Sequence, residues 1–150
     1  MVLDDDVSVE GASDVVAFYG VFDGHGGRAA ADFLRENLMK NVIENENFMS
    51  DPERALKEAF LRTDEDFYGA APGETSGSTG LAACVIGGKL YIANAGDCRA
   101  VLSRKGKAIE LSQDQKPSSQ GDLERIKKAG GFVEDGSVNG LLGVSRAFGD

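Results

Sequence analysis

The apolar run from Val15 to Phe22 ends at a short polar segment with an unusual set of side chains. The run is rich in β-branched and aromatic residues and lies between turn formers, so it predicts a buried strand. The segment Phe22-Asp-Gly-His-Gly-Gly27 then places a carboxylate, the single histidine of the chain and three glycines where that strand ends. Glycines let an ion approach the main chain, and hard divalent cations prefer oxygen ligands. Two interpretations remain open: a metal site based on Asp23, or a turn in which Asp23 caps a helix that begins near Arg28.

The composition limits the classes of partner. With 150 residues, 41% of them hydrophobic, the chain is long enough to bury a core as one domain. The 25 acidic and 16 basic residues give a net charge of −9, which argues against nucleic acid or an anionic membrane as partner. No apolar run approaches the ~20 residues of a membrane span. The two cysteines, Cys84 and Cys98, and the absence of an opening secretory segment predict an intracellular protein, cytoplasmic or nuclear, without a disulfide.

Periodicity and turn residues predict three helices and two hairpins. The acidic opening of the chain, by contrast, predicts a solvated or poorly ordered terminus. Because the helices bracket the hairpins without strict strand–helix alternation, the order predicts an α+β fold with mostly antiparallel sheets flanked by helices. The first predicted helix runs from about Arg28 to the Asn41 region, the second has Asp51 as N-cap, Pro52 first and Gly69 beyond its end, and the third covers Gln120–Ala129. A loop is predicted over residues 70–77, followed by a hairpin of Leu81–Ile86 and Lys89–Ala93 and a hairpin of Arg99–Ser103 and Lys107–Leu111.

The acidic residues of the opening segment, for which a solvated or poorly ordered terminus is predicted, are Asp4, Asp5, Asp6, Glu10 and Asp14.

Two common patterns match by spacing alone. The residues Gly24, Gly26 and Ala29 fit a dinucleotide-binding fingerprint, but no second strand follows to present the acidic residue that this fingerprint requires. Cys98 and Arg104 have the spacing of cysteine-dependent phosphatases, but the intervening residues favour a strand, which would separate the two side chains. Cys98 is therefore predicted to be a core thiol.

A second carboxylate occupies a setting like that of Asp23. Asp97 follows Asn94-Ala-Gly96 where another apolar strand ends. Alone it would be a turn former. Two carboxylates at glycine-bearing strand ends are what a sheet edge needs to gather metal ligands from distant parts of a sequence.

Seven segments of the chain, in order and with matching spacing, resemble the motifs of the type-2C metal-dependent serine/threonine protein phosphatases, most closely those of plants. These segments are Phe18–Gly27, Ser76–Gly80, Ala93–Arg99, Gln113–Pro117, Glu124–Ile126, Ala129–Gly131 and Leu142–Asp150.

The resemblance implies a layered α-β-β-α sandwich that binds two Mg²⁺ or Mn²⁺ ions at one end. Asp23 would bridge both ions, the Gly24 carbonyl would bind one, and Asp97 would help to hold a third, weaker ion. A metal-bound hydroxide would attack phosphoserine or phosphothreonine in a protein substrate, while His25 protonates the leaving oxygen. The resemblance further implies a monomer if the full domain is present.

The family pattern also includes motifs that do not occur in these 150 residues: an upstream arginine and Met-Glu-Asp, and downstream Asp-Gly and Asp-Asn. The chain is therefore expected to form about the first half of the family domain, as a fragment or a truncated paralogue of marginal stability. Gln115 stands where the family usually has histidine. The alternative function is a catalytically inactive paralogue that acts as a protein-interaction module.

Overall fold

The structure is a computed structural model that describes residues 2–7 and 16–150, with side chains from residue 17 onward. Its main sheet has four antiparallel strands in the order β1-β2-β5-β6, and two-stranded ribbons join β3 to β4, β7 to β8 and β9 to β10. The elements in chain order are β1 (Val2–Val7), β2 (Val16–Val21), β3 (Gly24–His25), α1 (Ala29–Ile43), α2 (Pro52–Ala70), β4 (Gly77–Ser78), β5 (Gly80–Ile86), β6 (Lys89–Ala95), β7 (Val101–Arg104), β8 (Lys107–Glu110), α3 (Gln120–Lys128), β9 (Val133–Glu134) and β10 (Ser137–Val138).

Helices α1 and α2 pack against each other and cover one face of the main sheet. The register aligns Phe18 with Cys84, and both side chains lie in the buried cluster beneath the helices. Leu38 of α1 is fully buried there and Leu56 of α2 nearly so. Burial of each such leucine stabilises the fold by about 1.5–3 kcal/mol, so this layer fixes the sheet whose strand ends form the site described below.

The opposite face of the main sheet is apolar and more open. Val21 and Leu90 point to this side and are 45% and 49% exposed, whereas Leu81, which is aligned with Val21, is buried. The predicted α+β class, with antiparallel sheets flanked by helices, is confirmed.

Local sequence explains where the helices and tight turns lie. The Asp51 carboxylate accepts a hydrogen bond from the Arg54 N–H at 3.2 Å, and Pro52 follows it, as at the predicted start of α2. Gly87 and Gly88 both have positive φ in the β5–β6 turn, which is the geometry that a two-residue hairpin needs.

Several predicted boundaries differ from the structure. The opening residues 2–7 form strand β1, where a solvated or poorly ordered terminus was predicted, because their backbone pairs with the otherwise free edge of β2. Glu10 and Asp14 lie outside the described residues. Helix α2 runs through Gly69 to Ala70, since a single glycine near a helix end weakens a helix without ending it. Strand β7 begins at Val101, two residues later than predicted.

Candidate metal and phosphate site

Thr79 joins the two turns that carry the predicted carboxylates. It is 3% exposed. Its hydroxyl accepts a hydrogen bond from the Asp23 N–H at 3.2 Å, and its own N–H donates to the Asp23 carbonyl at 3.0 Å. The same oxygen lies 3.1 Å from the Cys98 sulfur, beside Asp97 in the sequence. One buried side chain therefore fixes the Asp23 turn against the Asp97 turn.

The alternative role of Asp23 as a helix cap does not match the structure. Helix α1 has Arg28 as its N-cap residue without a side-chain cap, and the Ala30 N–H instead donates to the hydroxyl of Ser76 at 3.1 Å. The Asp23 side chain is exposed, and its carboxylate has no hydrogen bond or ion pair with any residue from 17 to 150. It is therefore available to a cation.

The glycines of the Asp23 turn serve two different purposes. Gly26 and Gly27 have φ values of 66° and 148°, in the region that favours glycine. A Cβ on Gly24 would lie 3.1 Å from the Gly27 carbonyl oxygen and 3.2 Å from the Ala31 Cβ, so Gly24 provides close packing against the start of α1.

The Asp97 turn is held by Gln115, the residue that replaces the usual family histidine. The side chain of Gln115 accepts a hydrogen bond from the Gly96 N–H at 2.7 Å and donates to the Asn94 carbonyl at 3.2 Å. Glutamine therefore satisfies both polar groups of the turn. These two hydrogen bonds support the turn from which Asp97 projects.

Lys116 forms an ion pair with the Asp97 carboxylate. The lysine side chain is 46% exposed and that of Asp97 is 27% exposed. An ion that uses Asp97 as a ligand would have to displace this ammonium group.

The predicted site residues meet at one cavity of about 460 Å³. A larger cavity of about 680 Å³ lies between α2, α3 and the last residues, but none of the predicted site residues lines it. The predicted site residues therefore share the smaller cavity, which is lined in part by Asp23, Gly24, His25, Thr79, Asp97 and Lys116.

The donor set fits a hydrated divalent cation and is incomplete for more than one. Within residues 2–7 and 16–150, no three acidic, histidine or cysteine side chains converge on one metal position. Mg²⁺ is often held by one or two carboxylates together with several waters, which the free Asp23 carboxylate and the nearby Asp97 can supply.

His25 contacts an acidic side chain that is not one of the predicted metal ligands. Its Nε2 lies 2.7 Å from Oδ2 of Asp150, and the two side chains are 33% and 27% exposed.

A buried carboxylate fixes the chain that leads to Asp150. Asp122 of α3 is 7% exposed and accepts hydrogen bonds from the Ser145 hydroxyl at 2.8 Å and from Arg146 Nε at 3.0 Å. Burial raises the pKa of Asp122, but the hydrogen bonds from Ser145 and Arg125 and the charges of Arg146 and Arg125 outweigh it, so the pKa lies below its usual range. This network anchors residues 145–146 on α3.

The structure corrects the prediction that Cys98 is a core thiol. It also adds site residues that the sequence patterns did not indicate. Cys98 is only partly buried and contacts Thr79, because it lies in the Asp97 turn and not in a strand. Thr79, Lys116 and Asp150 were not predicted as site residues. All three fall within the segments that carry the family resemblance, and that position was the available signal.

The fold and this site define the class of the chain. The family model described as Protein phosphatase 2C matches residues 2–150, so the chain belongs to the protein phosphatase 2C family. It is 54% identical over 137 residues to "Probable protein phosphatase 2C 57" of Oryza sativa subsp. japonica, covering 89% of this chain and 37% of the relative. It is 50% identical over 139 residues to "Probable protein phosphatase 2C 27" of Arabidopsis thaliana, covering 92% and 37%. The chain thus spans little more than a third of these curated relatives.

Solved structures share the architecture. "Crystal structure of a phosphatase from a pathogenic strain Toxoplasma gondii" has a TM-score of 0.77 at 26% identity, covering 90% of this chain and 56% of that one. "Structure of a C.elegans sex determining protein" has a TM-score of 0.79 at 27% identity, covering 93% and 37%. No helix of the described residues is both long and apolar enough to span a membrane.

Proposed function

We propose that this chain supplies part of a phosphatase centre that uses Mg²⁺ or Mn²⁺ to hydrolyse phosphoserine and phosphothreonine in proteins. The observation that supports this most is the unpartnered Asp23 carboxylate, which shares a cavity with Asp97 and His25 in a chain of the protein phosphatase 2C family. In this proposal residues 1–150 form one partial phosphatase domain, consistent with the 37% of the relatives that the chain covers.

Each site residue has a defined task in this proposal. Asp23 would hold both ions of the centre together with ligands from outside residues 1–150, the Gly24 carbonyl would bind one of them, and Asp97 would help to hold a third, weaker ion. A bound divalent ion would supply a water acidic enough to act as hydroxide near neutral pH. His25 gives a proton to the serine or threonine oxygen that leaves, since histidine exchanges protons in that pH range. Thr79 holds the Asp23 and Asp97 turns at a fixed separation.

Phosphate release from a phosphothreonine peptide in the presence of Mn²⁺ tests the proposal. We expect release by the wild-type chain and none above background by Asp23→Asn, because asparagine keeps the shape of the side chain and removes the charge that holds a cation. Asp135→Asn is the matched control, since Asp135 is an exposed carboxylate in the β9–β10 turn, remote from the cavity. Absence of release by the wild-type chain, or equal release by Asp23→Asn, would overturn the proposal.

A catalytically inactive interaction module is the second candidate function. This function is favoured by the small number of metal ligands, since the described part of the chain brings no three metal-binding side chains together. Calorimetric titration with Mn²⁺ distinguishes the two candidates. A phosphatase centre requires binding that Asp23→Asn abolishes, whereas an inactive module predicts equal, negligible heats for both proteins.

An intracellular location, in the cytoplasm or nucleus, belongs to the same proposal. The chain has only two cysteines, Cys84 and Cys98, and such sparse use of cysteine favours a reducing compartment. One rice relative carries the word "mitochondrial" in its name. Imaging of the tagged chain in cells, with nuclear, cytosolic and mitochondrial markers, tests the location.

A further inference from the structure

The pairing of His25 with Asp150 is built from three adjacent backbone segments. In β3, His25 pairs with Gly77 of β4, and the next residue of β4, Ser78, pairs with Phe148. The Ser78 N–H donates to the Phe148 carbonyl at 3.0 Å, and the Phe148 N–H donates to the Ser78 carbonyl at 2.8 Å. This ladder brings together two residues that lie 125 positions apart in the sequence.

Two glycines make the contact possible. A Cβ on Gly77 would lie 2.1 Å from Oδ2 of Asp150 and 2.4 Å from Nε2 of His25, so only a glycine leaves room for the two side chains to meet. Gly149 has φ of +82°, and its N–H donates to Oδ1 of Asp64 on α2 at 2.8 Å. The backbone that presents Asp150 is thus tied both to β4 and to α2.

The chemistry of the pair assigns one proton. An ionised carboxylate only accepts hydrogen bonds, so with Asp150 in that form Nε2 of His25 is the donor across the 2.7 Å contact. Nδ1 has no hydrogen-bond partner among residues 17–150. His25 lines the cavity that contains Asp23, whereas Asp150 lines the larger neighbouring cavity and not this one. The Asp150 carboxylate therefore contacts the imidazole from the side of the larger cavity.

We propose that Asp150 is a positioning residue for His25: it holds the Nε2 edge of the ring away from the Asp23 cavity and leaves Nδ1 as the nitrogen that serves the substrate. A carboxylate behind an imidazole fixes the ring orientation and the tautomer in many sites where histidine moves protons or binds a metal. The inference rests on the proposed function, in which His25 protonates the leaving oxygen, and it names the atom that would do so.

Nitrogen NMR of the imidazole tests the pair without metal, substrate or activity. Because the chain has one histidine, every imidazole signal of the ¹⁵N-labelled chain belongs to His25. In alkaline buffer we expect an observable Nε2–H proton, shifted downfield by the carboxylate, with Nδ1 unprotonated. Asp150→Ala should lose this proton signal to solvent exchange. Asp150→Asn should retain it, because the amide oxygen still accepts a hydrogen bond.

Two further variants separate loss of the contact from loss of the fold. Gly77→Ala should remove the Nε2–H signal while leaving both partners unchanged in identity, and Asp135→Asn should leave the signal as in the wild type. Backbone amide spectra report whether each variant is folded. An Nε2–H signal that persists in Asp150→Ala, or that the folded wild-type chain lacks, would overturn the proposal.

A comparison of two substrates with different leaving groups tests the role of Asp150 in activity. If His25 protonates the leaving oxygen, Asp150→Ala should lower kcat about 10-fold or more on a phosphothreonine peptide. The same variant should change kcat less than about 2-fold on p-nitrophenyl phosphate, whose leaving group needs no proton. Equal losses on both substrates would argue against positioning. A wild-type chain that releases no phosphate would overturn the proposed function, while the imidazole spectra would still decide the His25–Asp150 pair.

Discussion

The methyl group of Thr79 fills the space in front of Gly96: a Cβ on Gly96 would lie 2.6 Å from Cγ2 of Thr79. Gly96 also has φ of +110°, which L side chains rarely adopt. The turn that presents Asp97 is therefore closed to any other residue at this position, for a steric and a conformational reason together.

We predict that Gly96→Ala lowers the free energy of unfolding by about 3 kcal/mol, since overpacking adds about 1–3 kcal/mol to the cost of a strained φ. Denaturant unfolding measures the loss. Gly106→Ala isolates the conformational part, because Gly106 has φ of +74° with nothing within 4 Å of its Cβ position, and it should cost about 1 kcal/mol. Equal losses in the two variants would show that Thr79 does not close the turn.

Replacement of Lys116 should strengthen divalent cation binding at Asp97. The ammonium group pairs with the Asp97 carboxylate, so an incoming ion has to break that pair. Exposed pairs contribute roughly 0.2–1 kcal/mol, which corresponds to an increase in affinity of about 1.4- to 5-fold for Lys116→Met. Mn²⁺ titration calorimetry provides the measurement, with the exposed Lys127→Met as the matched control. An unchanged or weaker affinity in Lys116→Met would contradict competition between the lysine and the metal.

Asp122→Asn should reduce both stability and its dependence on acid. The folded-state pKa of Asp122 is lowered, so this group stabilises the fold above its unfolded pKa of about 3.9 and loses that contribution as the pH falls through the folded-state value. We expect a loss of about 1–3 kcal/mol at pH about 7 and a flatter decline at low pH. Urea unfolding at a series of pH values tests this. A variant that declines as steeply in acid as the wild type would show that Asp122 carries no such linkage.

The two cysteines should differ in reactivity. Burial raises the pKa of the Cys84 thiol to about 12, and the residue is 1% exposed beneath the helices. Since the thiolate is the reactive form, Cys84 should resist iodoacetamide in the native chain while the partly buried Cys98 is labelled. Mass spectrometry after brief labelling reports each site. Comparable labelling of Cys84 under native conditions would mean that its helix layer opens easily, and a denatured sample provides the control in which both cysteines react.

Local sequence predicted the elements that begin or end at a capping residue, a proline or a glycine turn. Asp51 and Pro52 began α2 as expected, and the glycine pair at 87–88 formed the predicted turn. The same reasoning would have found β9 and β10, because Asp135-Gly136 is a hairpin signal and both residues have positive φ. Strand β1 could not be found this way, since it depends on a free edge of β2 and not on its own acidic residues.

The sequence predicted four residues of the candidate site, Asp23, Gly24, His25 and Asp97, and missed the residues that contact them. Asp23 and Asp97 each end an apolar strand at a glycine turn, which a single sequence displays. Thr79 and Asp150 act through contacts across 56 and 125 residues, and such contacts come from packing that local patterns do not encode.

The central pairing of the main sheet sets an order for folding during synthesis. Phe18 of β2 aligns with Cys84 of β5, and both long helices lie between them in the chain. While the ribosome is still making α1 and α2, β2 has no β5 to pair with, and the Asp23 turn has no Thr79 to hold it. Closure of so long a loop is slower than helix formation. The nascent chain should therefore carry its helices well before it has any capacity for chemistry.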